Sequence, residues 1–466
     1  MAQCVEQGGD LGCVAVLDEM NCPSGPSNFA NGVNSCMTLS VQSPGVVPAI
    51  LVELRITDPL PGVSLKGTVL LGSRGLGNIF YEDQVVDGSG ANGVVQRLLD
   101  EGFRIVQRKW DGDGWFAENL PTSSQYTGQN HPMTDLANRY ATLLHWVSQN
   151  SPPDGAMIAT GQSNGSSEIA YALSTWGAEE ILDVAVLSSG PTMTYLDEIC
   201  GSAPCGGAFP ANVLTCSEPC PVAGIEESSA FMAVCIGTST AEQMDGSILF
   251  PGDQVNPGAD TSYISSSGRE TRTHIIIGSD DCPTVAPQMG FAFFDAITSE
   301  KVLEFVPATG HTIQATIAGK RAIVNAVLAG ASAASLGRVA TISLNSWGTL
   351  VPDPSEFEVQ LHGPEDALTF LLLSVVIDSE VEIGLSGWLF LPSAFLVQGV
   401  GSLIGNGKNL TFEVPNDCTL QNIPIYFQAM YFYADGQPGT QGELGVLSNT
   451  VTLVVDVGVD PCSAPR

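Results

Sequence analysis

Ala156-Met157-Ile158-Ala159-Thr160-Gly161-Gln162-Ser163-Asn164-Gly165-Ser166-Ser167-Glu168-Ile169-Ala170 is the stretch on which the fold turns. Its opening apolar residues read as a short buried strand. From Ser166 to Trp176 apolar side chains recur at helical spacing. Between the two stands Gly-x-Ser-x-Gly. Alone that pattern is weak, because small residues gather in many turns, and the competing reading is an ordinary strand-to-helix turn. Here a strand leads in and a helix leads out, so a sharp turn would lift the Ser163 hydroxyl above the sheet edge. The flanking glycines suit the crowding of such a turn. Ser163 is therefore the candidate nucleophile.

The same rhythm extends on both sides. Strands are expected at 49–56, 67–71, 103–106, 181–187, 273–277 and 302–305, and helices at 92–100, 134–149, 288–297 and 313–328, with Thr134 as an N-cap. Strands alternating with helices argue for a parallel sheet covered on both faces. The rhythm breaks over about 191–270, where Cys200, Cys205, Cys216, Cys220 and Cys235 fall in a segment of little periodicity. Residues 1–45 read as a Cys-rich N-terminal extension, 46–330 as the catalytic domain and 331–338 as a linker within a run of small residues from Ala329. From 339 to 466 short apolar runs separated by turns read as an all-β sandwich module.

Composition narrows the setting. With 49 acidic against 16 basic residues the formal net charge is −33, which repels phosphate backbones and excludes nucleic acid as a natural partner. Twelve cysteines, an even number without a C-x-x-C pair, favour disulfides over zinc and an oxidising compartment. The close pairs are Cys4 with Cys13, Cys22 with Cys36, Cys200 with Cys205 and Cys216 with Cys220; Cys235 is assigned to Cys282. Met1 to Cys4 opens without an apolar leader, so the expectation is a secreted protein whose signal peptide is absent here. No apolar run approaches the ~18 residues of a membrane span.

A serine hydroxyl needs a base. Of five histidines, His145 lies in an apolar helix, His274 in a strand, His362 in the C-terminal module, and His131 precedes the serine. His311 remains, in a loop after the strand ending at Phe305. A carboxylate must orient that base. Asp280 and Asp281 stand together after another apolar strand, and the residues alone leave both open. The developing oxyanion needs fixed N–H donors. Asn164 supplies one, and the Gly-rich loop after Leu71 offers Ser73 or Arg74 for the second.

In this order of strand, Gly-rich loop, serine elbow, acid loop and histidine loop, residues of roughly 47–330 resemble the α/β-hydrolase superfamily. The resemblance implies a sheet with helices on both faces and a lid grown from the disulfide-rich insert. It favours Asp281, three residues beyond Gly278, over Asp280 as the acid. It implies acyl transfer to water without cofactor or metal, on an ester substrate that is small, lipid or polymeric. The rival readings are a serine peptidase of the same fold and a catalytically idle fold used for binding or adhesion. Trp110 and Trp115 flank Asp111-Gly112-Asp113-Gly114, which reads as a turn rather than a calcium loop, and both are candidates to line a substrate cleft.

Overall fold

The computed structural model describes residues 4–20, 22, 32–44, 49–84, 93–112, 114–116, 131–153, 155–192, 194, 255, 263–267, 269–281 and 286–336, together with seven strands between 341 and 454. Two compact units divide the chain, and every site residue discussed below lies in the first.

Ten strands make one sheet: β1 (Val5–Glu6), β2 (Cys13–Met20), β3 (Val33–Gln42), β4 (Ile50–Asp58), β5 (Gly67–Gly72), β6 (Phe103–Trp110), β7 (Ala156–Gln162), β8 (Val184–Ser188), β9 (Arg272–Gly278) and β10 (Lys301–Val306). Their spatial order is β1-β2-β3-β4-β6-β5-β7-β8-β9-β10. The first four pair antiparallel, as do β4 and β6, whereas β6, β5, β7, β8 and β9 run parallel. Every residue of β5, β8 and β9 is buried, as in strands covered on both faces. The chain steps from β5 to β6 and then back past β5 to β7, so the loops after β5 and β7 meet where the strand order reverses. Such a switch point opens a crevice at the carboxyl ends of the strands.

The α-helices among the described residues are α1 (Val94–Asp100), α2 (Met133–Gln149), α3 (Asn164–Thr175), α4 (Ala286–Ala296) and α5 (Ile317–Leu336). Three expectations need correction. Thr134 does not cap α2: the helix starts at Met133 after Pro132, whose fixed φ and missing N–H suit a helix start. The small residues from Ala329 to Ser335, most of them in the expected linker, are the last turns of α5, since alanine is the best helix former. The described strands of the N-terminal extension do not stand apart, because β1, β2 and β3 extend the main sheet through pairing of β3 with β4. Disulfides join Cys4 to Cys13 and Cys22 to Cys36 there, as the spacing suggests. Each such crosslink restricts the unfolded chain, typically by about 2–4 kcal/mol.

Beyond α5, β11 (Thr341–Leu344), β12 (Glu356–His362), β13 (Ala367–Ser374), β14 (Phe395–Ser402), β15 (Gly407–Glu413), β16 (Pro424–Tyr433) and β17 (Gly445–Val454) form two antiparallel sheets. One has the order β11-β12-β15, the other β14-β13-β16-β17. The expected pairings of Cys200, Cys205, Cys216, Cys220, Cys235 and Cys282, and most of the expected lid, lie outside the described residues. Among the described residues no helix is long and apolar enough to cross a membrane.

Candidate active site

The elbow between β7 and α3 is built around an unusual backbone. Ser163 has φ 56° and ψ −124°, a conformation that an L-residue holds only when its surroundings impose it. Two hydrogen bonds do so: the Ser163 N–H donates to Ser188 O at 2.9 Å, and the Ser166 N–H donates to Ser163 O at 2.8 Å. Both glycines of the motif are required by contact. A methyl at Gly161 would overlap the Gly165 carbonyl, and one at Gly165 would stand 2.8 Å from Gly72 O. The loop after β5 therefore rests directly against the elbow.

His311 reaches this point from the loop after β10. Its Nε2 lies 2.9 Å from Ser163 Oγ, and its Nδ1 lies 3.1 and 3.2 Å from the two carboxylate oxygens of Asp281. The Gln162 side-chain amide donates to His311 O at 2.9 Å, tying the histidine loop to the strand that carries the serine. Asp281 is fully buried, and its N–H donates to Gly278 O at 3.1 Å. Asp280, the alternative, is exposed: its N–H donates to Thr309 O and its carboxylate accepts from Ser279 Oγ, 2.9 Å away in each case. The structure thus brings Ser163, His311 and Asp281 into one hydrogen-bonded line and turns Asp280 away. With a strand before Ser163, a helix after it, and acid and histidine on the loops after β9 and β10, the topology is decided.

The fold is that of the α/β-hydrolases. No family model matches the chain, and no curated protein does. Solved structures similar to it include a bacterial brefeldin A esterase (12% identity, 67% of this chain and 79% of that one, TM-score 0.39) and an esterase of Pyrobaculum calidifontis (14%, 66% and 86%, 0.37). An acylaminoacyl peptidase of Pyrococcus horikoshii is also similar (10% identity, 68% of this chain and 47% of that one, TM-score 0.37). At these identities and scores they carry no argument, and the chemistry rests on this chain's own residues.

The loop from Gly72 to Asn78 carries the candidate oxyanion donors Ser73 and Arg74, opposite Asn164 at the start of α3. Ser73 is buried, with Oγ donating to Ile79 O at 2.7 Å. The Asn164 side-chain amide donates to Gly75 O at 3.0 Å, and Arg74 Nη1 donates to Thr312 Oγ1 at 3.1 Å. This loop is thereby fastened to the elbow and to the histidine loop at once.

Trp110 and Trp115 correct the sequence reading. Both are fully buried, so neither lines an open cleft. Arg108 and Trp110 share one face of β6, two residues apart. That face meets α3. The Trp110 indole N–H donates to Glu168 Oε1 at 2.6 Å, and Arg108 Nη2 pairs with Glu168 Oε2, with both charged side chains wholly buried. Arg108 Nη1 and the Trp110 backbone N–H also donate to Gly77 O, at 3.0 and 2.9 Å. Trp115 packs edge-on against Phe116 and Tyr171, with ring centroids 5.0 and 6.4 Å away. Burial pushes the Glu168 carboxyl up to about 7, against the pull of the Arg108 charge and the Trp110 and Arg108 hydrogen bonds. The sequence reading missed this cluster. Its one visible signal was a glutamate in an otherwise small and apolar helix.

Proposed function

We propose that the chain is a serine hydrolase that transfers the acyl group of a carboxylic ester to water. The observation that carries this is the continuous line from Ser163 Oγ through His311 to the buried Asp281. In this reading Ser163 attacks the ester carbonyl while His311 Nε2 takes its proton. Asp281 holds the imidazole in the tautomer that presents a bare Nε2 and stabilises the imidazolium. The N–H of Asn164 and that of Ser73 or Arg74 receive the oxyanion. The alcohol leaves with the proton from His311. Water then repeats the attack on the acyl-enzyme with the same base.

An ester is preferred over an amide because its leaving group needs no strong acid to expel it. The disulfides of the N-terminal strands suit an extracellular setting, where the acidic surface keeps the protein soluble. The C-terminal strands, as a sandwich module, suit a chain that works on polymeric esters. The test is labelling with a fluorophosphonate probe. Ser163 should carry the adduct, and Ser163→Ala should lose both label and ester turnover while keeping its fold. Labelling elsewhere, or turnover that survives in the variant, overturns the reading.

A further inference from the structure

We propose that the Arg74 side chain is a carboxylate-binding subsite, so that the favoured substrate is an ester carrying a free carboxylate a few bonds from the scissile carbonyl. This rests on the hydrolase reading above and deepens it.

Three observations place the guanidinium. Arg74 belongs to the loop that presses on the elbow, where Gly72 O and Ser73 O stand 2.8 and 3.0 Å from a methyl built on Gly165. Its Nη1 reaches the hydroxyl of Thr312 at 3.1 Å. Thr312 is the next residue after His311, its Cα about 3.8 Å from that of the histidine. The guanidinium is therefore bonded to the residue that follows His311, and both Arg74 and Thr312 are only part-buried.

The guanidinium is also unusual for this molecule. The chain has 49 acidic residues for 16 basic ones, and several of its described arginines, Arg55, Arg104, Arg108, Arg269 and Arg272, are ion-paired. Among the described residues Arg74 faces no carboxylate, and its hydrogen-bond partner is a neutral hydroxyl. A guanidinium carries five N–H donors in a planar fork that matches a carboxylate. The Thr312 hydroxyl takes one of the five. A molecule of net charge −33 repels anionic substrates at long range, and an arginine with no carboxylate partner among the described residues gives such a substrate a local reason to bind.

The competing role is a strap that holds two loops together through Thr312. The two roles separate in a ratio. The full chain is given para-nitrophenyl half-esters of succinate, glutarate and adipate, and the neutral para-nitrophenyl esters of the same chain lengths, and kcat/KM is measured for each. Wild-type protein should favour at least one half-ester over its neutral partner. Arg74→Gln should lower that ratio by about 10-fold or more, the loss of a charge-assisted pair, and Arg74→Lys should keep a larger part of it. A strap would lower both rates together and leave the ratio unchanged, which overturns the proposal. So does a wild-type enzyme that prefers every neutral ester. Failure of Ser163 to label would instead mark failure of the hydrolase reading, so the two are told apart.

Discussion

At the scale of single residues, the site is a set of backbone positions that fix side-chain directions. Asp280 and Asp281 are chemically identical and adjacent, yet one is exposed and the other fully buried against His311 Nδ1. Asp281→Asn should cut turnover by up to about 10⁴-fold, because the amide favours the wrong imidazole tautomer. Asp280→Asn should have a small effect. Steady-state ester hydrolysis on the two variants checks this, and the reverse ranking moves the role to Asp280. Gly161→Ala should be severe for a different reason: its methyl meets backbone at Gly165, which cannot yield without moving the elbow. A circular-dichroism melt and turnover should fall together.

At the scale of elements, the buried Arg108–Glu168 pair links β6, α3 and the loop after β5. Removing one partner leaves a bare charge where no water reaches. Glu168→Ala alone should therefore destabilise by about 3–5 kcal/mol. Replacing both, as Arg108→Met with Glu168→Leu, should recover most of that loss, because apolar side chains of similar volume need no solvation. Chemical denaturation of the single and double variants measures it; equal losses in both would show that the pair is not the source. The same double variant frees Gly77 O from its Arg108 donor and leaves the Trp110 indole N–H without its acceptor, so its recovery should be incomplete.

At the scale of the whole molecule, pH acts through groups the fold has hidden. His274 on β9 is fully buried, and neither ring nitrogen has a hydrogen-bond partner among the described residues. Burial, reinforced by the Arg272 charge, holds its proton affinity well below the ordinary 6.5. The unfolded chain takes up that proton as pH drops through 6.5 and the folded chain does not. Stability present above 6.5 is therefore lost below it, by at most about 1.4 kcal/mol per pH unit. Thermal midpoints taken from about pH 7 to about pH 5 should fall faster for the wild type than for His274→Gln, and parallel curves would refute the assignment. The catalytic side chains all precede α5, so a chain ending at Leu336 should still cleave small soluble esters. Loss of that activity in a folded truncated chain would show that the C-terminal strands complete the site.

The sequence by itself determined the parallel strands, the elbow at Ser163 and the choice of His311, because each is written locally: buried apolar runs, glycines at a sharp turn, and an order along the chain. It also paired Cys4 with Cys13 and Cys22 with Cys36, where short loops leave few partners. The residues alone left Asp280 and Asp281 both open, and only the resemblance favoured Asp281, since two neighbouring aspartates carry the same composition and the direction of the chain after Gly278 is what separates them. It misread the small residues of α5 as a linker and β1 to β3 as an extension of the catalytic domain rather than part of its sheet. How far a helix runs depends on the packing of its last turns, and strand addition depends on a partner edge far along the chain. It placed Trp110 in a cleft because aromatic side chains suit both clefts and cores. Only the tertiary structure, by setting Glu168 of α3 against Arg108 and Trp110 of β6, made it core.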